Sequence, residues 1–108
     1  MLRIRNKSSK YCNQPVVVDG HRFASQREAR RYGELKLLEK AGEISGLELQ
    51  PRFLISVNGV HVCSYSADFR YEKDGRHIVE DVKGVRTPTY RLKKRLMQAV
   101  HGVTISEV

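Results

Sequence analysis

The sequence predicts a mixed α/β fold, an α+β arrangement of two helices and a β-rich centre, on three observations. Asp19-Gly20, Asn58-Gly59 and Asp74-Gly75 are two-residue hairpin signals, because a type I′ turn needs positive φ at both central positions. Tyr65, Ala67, Phe69 and Tyr71 alternate with Ser66, Asp68 and Arg70, the period of a strand with one buried face. Two stretches open on helix-start chemistry, Ser25 with Glu28 and Thr87 with Pro88. The resulting order is hairpin–α–β–β–β–α–β, a mixed sheet with a helix on either side of its central hairpin.

Residues 1–15 are polar and basic, carry Arg3, Arg5, Lys7 and Lys10 with no acid, and read as a mobile arm. Its lysines Lys7 and Lys10 suit a strap along phosphates. Residues 16–108 form one domain. Val16, Val17 and Val18 pair across Asp19-Gly20 with His21, Arg22 and Phe23. A helix follows at once, because Ser25 and Glu28 make an S-x-x-E capping box, and it runs to about Lys40 with Gly42 as its stop. Tyr32, Leu35 and Leu38 form its apolar stripe. Glu28 projects roughly 20° from Leu35 on a helical wheel, which points it inward from the first turn. Residues 46–57 make one strand, with Pro51 marking an edge or a bulge. Asn58-Gly59 turns it into a second strand over residues 60–71. Counting from that turn puts Gln50 on the face opposite Asp68, and a bulge near Pro51 would bring Gln50 round to Asp68. Residues 76–83 form the next strand. Thr87 caps a second helix, Leu92, Leu96, Ala99 and Val100 mark its buried stripe, and Gly102 ends it. Residues 103–108 close the chain as a strand.

Composition narrows the partners. The 108 residues hold 20 Lys and Arg against 12 Asp and Glu, a net charge of +8 and a pI near 9.8. That is the footprint of a polyanion, most simply nucleic acid. Cys12 and Cys63 lack metal-type spacing, which argues against a disulfide framework or a zinc site. No run approaches transmembrane length and the start lacks an apolar leader core, so a soluble, cytoplasmic protein is expected, with no membrane partner.

The site comes from the register set by Asp74-Gly75. If those residues are the turn, Lys73 faces Arg76, Tyr71 faces Ile78, Phe69 faces Glu80, Asp68 faces Asp81 and Ser66 faces Lys83. Residues directly opposite on one face have Cβ atoms about 4.5–5.5 Å apart, and like charges so placed repel. Two carboxylates side by side, with Lys83 two residues along, call for a cation between them. Mg²⁺ suits that place, since it takes one or two carboxylates and keeps waters for phosphate oxygens. The plainer alternative is a solvated strand pair whose charges never meet.

This arrangement resembles the PD-(D/E)XK nuclease superfamily, whose restriction-endonuclease-like core is αβββαβ with an Asp on the second core strand and an acid-x-Lys on the third. Asp68 and Asp81-Val82-Lys83 match, and Glu28 stands where resolvases of the superfamily carry a helix glutamate. The blocks VDGHRFASQREARRYGELKLLEKAGEI, LELQPRF, YSADFRY and VEDVKG look more closely like a family of small phage and prophage proteins classed as of unknown function or as candidate endonucleases. Ala67 replaces the Pro of the superfamily name, and Asp81 stands where Glu is commoner.

The resemblance implies a metal-dependent DNA endonuclease, a hydrolase of phosphodiester bonds related to Holliday junction resolvases and working in a bacterial host cell. Asp68, Asp81 and Glu28 would hold Mg²⁺ (or Mn²⁺), with the Val82 carbonyl helping and Glu28 completing the same shell or holding a second ion, and Lys83 would act on the attacking water. Gln50, Arg86, Arg91, Lys93 and Lys94, with Lys7 and Lys10, would contact DNA. A homodimer acting on branched recombination or replication DNA is expected, without an organic cofactor. The rivals are a non-catalytic DNA-binding accessory protein and a ribonuclease on the same fold.

Overall fold

The computed structural model describes residues 14–108. Lys7 and Lys10 lie outside the described residues. The chain divides into two compact units, one up to Leu37 and one over Leu38–Val108, with the boundary inside the first helix.

In the first unit, β1 (Val16–Val18) and β2 (His21–Phe23) pair antiparallel. Asp19 and Gly20 both have positive φ, as the turn signal requires. Helix α1 (Gln26–Lys40) starts where the capping box places it, with the Glu28 amide donating to Ser25 Oγ at 3.2 Å. Phe23 and Tyr32 are buried, with ring centroids 5.0 Å apart, and the Tyr32 hydroxyl donates to Asp19 at 2.9 Å. Leu35 is buried as expected, but Leu38 is 36% exposed and does not extend the stripe.

The second unit is built from broken strands where the sequence predicts continuous ones. Residues 45–57 form β3 (Ser45–Leu49) and β4 (Arg52–Val57), and residues 60–73 form β5 (Val60–Ser66) and β6 (Phe69–Lys73). Both breaks fall at one place, at Gln50 and Pro51 on one side and Ala67 and Asp68 on the other. Gln50 is left-handed, with φ 51°, and Pro51 has no amide to give the ladder. The hydrogen bonds cross the bend intact, from Gln50 N to Asp68 O at 2.9 Å and from Ala67 N to Pro51 O at 3.1 Å. The ribbon therefore folds at a shared corner: β3 and β6 join a larger sheet, while β4 and β5 pair as a two-stranded sheet.

The bulge in this hairpin lies away from Pro51, where the sequence allows either an edge or a bulge. Ile55 pairs with Cys63 and Ser56 with His61, so Val62 is the extra residue. That one-residue shift brings Gln50 level with Asp68.

β3, β6, β7 (Arg76–Asp81) and β8 (Ile105–Glu107) form a four-stranded mixed sheet in the order β3-β6-β7-β8. β8 runs parallel to β7 and the other pairs are antiparallel. The connection between β7 and β8 is helix α2 (Pro88–Leu96) followed by a π turn, Met97–His101. Thr87 Oγ1 accepts from the Tyr90 amide at 3.1 Å and Pro88 opens the helix, as predicted. Of the predicted buried stripe of α2 only Leu96 packs against the core, because Leu92 is 58% exposed and Ala99 and Val100 also face solvent. Tyr90 and Met97 are the buried residues, seven apart and therefore on one face. They join Ile55, Tyr65, Ala67, Val79 and Ile105 in the core of this unit.

Candidate functional site

The register counted from Asp74-Gly75 holds along the ladder, from Lys73↔Arg76 to Phe69↔Glu80. Beyond Phe69 the geometry changes. Asp68 sits in the corner rather than in a strand, so its amide donates to Glu80 O at 3.1 Å while its carboxylate Oδ2 accepts the Val82 amide at 2.7 Å. The side chain replaces a backbone carbonyl and carries the ladder one step further. Asp68 thus straddles Asp81, bonded to the residue on either side of it. Ser66, expected opposite Lys83, pairs with Arg52 on β4 because the ribbon has already turned away.

Asp81 ends β7 and is 2% exposed. A buried carboxylate must find partners, since an uncompensated charge away from water is expensive. The Tyr65 hydroxyl donates to its Oδ2, and Lys83 Nζ lies 3.4 Å from the same atom. Burial, then the hydrogen bond to Asp81, then the charges of Asp81 and, more weakly, of Tyr90 and Asp68 push the Tyr65 phenol far above its ordinary range. Tyr65 is therefore a fixed neutral donor to Asp81.

Lys83 Nζ also sits over the Tyr90 ring, 3.9 Å from its centroid, a cation–π contact. The Tyr90 hydroxyl donates to Glu107 at 2.7 Å. Arg86 and Lys94 hold the same carboxylate at 2.8 and 3.0 Å. The hydrogen bonds from Tyr90, Arg86 and Lys94 pull Glu107 down to about 2. Burial, followed by the bond to Glu107, pushes the Tyr90 phenol up.

Of the other expected site residues, Arg86, Arg91 and Lys94 line one groove. Gln50 is an exposed corner residue whose backbone meets Asp68. Arg86 and Lys94 are engaged by Glu107, Arg91 is exposed on α2, and Lys93 is half-buried. Glu28 lies in the first turn of α1, in the other unit. Tyr65, Tyr90 and Glu107 escaped the sequence reading. The available signal was a tyrosine at an inward strand position, because a buried phenol needs a polar partner.

Among the described residues, no group of three or more His, Cys, Asp or Glu is arranged to hold a metal. Asp68 is bonded to the backbone on either side of Asp81, and the oxygens of these two acids are hard donors, which would suit Mg²⁺ completed by water and not a nitrogen- and sulfur-seeking metal. No helix among the described residues is long and apolar enough to cross a membrane.

No curated protein and no solved structure matches the chain significantly. Residues 8–103 match the family described as protein of unknown function, DUF1064. With all but the two ends of the chain covered by that match, the protein belongs to the DUF1064 family.

Proposed function

We propose that the protein is a metal-dependent DNA endonuclease that hydrolyses phosphodiester bonds. The observation that carries this reading is the bond from the Val82 amide to the Asp68 carboxylate, which ties one acid to the segment bearing Asp81 and Lys83. Asp68 and Asp81 would hold Mg²⁺ or Mn²⁺. When bound, the ion supplies Lewis-acid polarisation of a phosphate oxygen and a more acidic water. Tyr65 keeps the buried Asp81 carboxylate in place. Lys83 orients the attacking water and offsets the charge that develops on phosphorus oxygens. A homodimer would present two such centres to branched DNA.

One observation favours a second reading, a non-catalytic DNA-binding accessory protein. Asp81 Oδ2 already has two partners in Tyr65 and Lys83, which compete with a metal for that oxygen.

Nicking of a supercoiled plasmid and of a four-way junction with Mg²⁺ or Mn²⁺ separates the two readings. Under the nuclease reading Asp81→Ala loses about 100-fold or more in rate and still binds DNA. Equal behaviour of wild type and Asp81→Ala, with both binding, would leave the accessory reading. Parallel RNA substrates test a ribonuclease.

A further inference from the structure

Helix α2 and β8 enclose a groove of about 450 Å³ whose walls carry Arg86, Arg91, Lys94 and Arg95, with Glu107 as the one acid. Glu107 occupies Arg86 and Lys94. Arg91 and Arg95 are exposed and pair with no carboxylate among the described residues. They stand four apart on α2, so they share a face one turn from each other. Two guanidinium forks at that spacing match the oxygens of a phosphate, which arginine binds in bidentate fashion.

The groove is linked to Asp81 through Tyr90 and Lys83. The face of the Tyr90 ring takes Lys83, while its hydroxyl is bonded to Glu107 on the groove side. We propose that the groove is a second phosphate subsite, in which Arg91 and Arg95 clamp a neighbouring phosphate of the nucleic-acid strand that passes Asp68 and Asp81. This rests on the reading that a phosphodiester strand lies at the acid pair. Arg95 is the new element, and Lys93, expected from the sequence to contact DNA, does not line the groove. Glu107 holds Arg86 and Lys94 apart from the clamp, and it keeps them fixed as the strand enters.

The test is fluorescence anisotropy with a labelled duplex in EDTA, so that no cleavage occurs. The groove variant Arg91→Gln/Arg95→Gln is compared with Lys73→Gln/Arg76→Gln at the tip of the β6–β7 hairpin, which removes the same charge. All four positions are exposed, and unchanged melting temperatures verify folding. The groove variant is expected to bind about ten-fold more weakly, with a salt slope smaller by about 0.9 for the one lost phosphate contact on duplex DNA. The hairpin variant should stay within about two-fold of wild type. Equal losses in the two variants, or an unchanged slope in the groove variant, overturn the proposal. Displacement of the duplex by a nucleoside monophosphate at matched ionic strength also overturns it, in favour of a small-molecule phosphate site. Because no divalent metal is present, failure here leaves the nicking test unaffected, and failure of nicking leaves this binding difference unaffected.

Discussion

Tyr65 and Asp81 show how a single hydroxyl makes a buried acid tolerable. The carboxylate is almost wholly enclosed, and its nearest cation, Lys83, is 3.4 Å away. The Tyr65 hydroxyl supplies the remaining stabilisation, and its own burial keeps it protonated. Tyr65→Phe removes that donor while preserving the ring in the core. A hydrogen bond to a charged group is worth about 1.5–3 kcal/mol, so the variant should lose that much in urea unfolding. Wild-type stability in Tyr65→Phe would mean that Lys83 alone satisfies Asp81. At this scale the sequence was partly legible. Counting from the turn at Asp74-Gly75 gives the pairing as far as Phe69 and Glu80, but nothing local marks the corner at Asp68 or Tyr65 as the partner of a residue 16 positions away.

Among the elements, the bent ribbon and α2 are the informative cases. Alternation of apolar and polar residues runs unbroken through Ala67 and Asp68, so pattern alone predicts one long strand there. The corner comes from its opposite side, where Gln50 turns left-handed and Pro51 withholds an amide. The Val62 bulge then decides which residue meets Asp68. On α2, aliphatic spacing suggests Leu92 and Ala99, yet the helix buries Tyr90 and Met97. Tyr90 can go inward because Glu107 receives its hydroxyl. The start of the helix is more local in origin. Thr87→Ala removes the acceptor for the Tyr90 amide and should cost about 1 kcal/mol in chemical denaturation. No change in the unfolding midpoint would show that this first turn is held by Tyr90 packing instead.

At the level of the whole molecule, charge and acid stability are linked through Glu107. The chain carries a net charge of +8, and this glutamate is the one acid in its basic groove. Its folded value of about 2 lies below the ordinary 4.5. A carboxylate depressed on folding stabilises the native state fully above its unfolded value, and that contribution fades as pH falls through the folded one. Wild type should therefore exceed Glu107→Gln in stability at pH 7. The gap should narrow from about pH 4.5 downward and close near pH 2. Urea midpoints measured at pH 7, 4 and 2 check this, and a gap that does not change with pH would refute the ion-pair account.

The sequence alone determined the three hairpin turns, the two helix starts and the register from Lys73 to Phe69. Each depends on residues within a few positions of one another, where backbone preference and capping chemistry act without help. Only the tertiary structure decided where the long ribbon bends, which face of α2 is buried and which phenol guards Asp81. Those outcomes depend on pairs distant along the chain, Gln50 with Asp68, Tyr65 with Asp81 and Tyr90 with Glu107, whose stabilisation exists only once packing has removed the water between them.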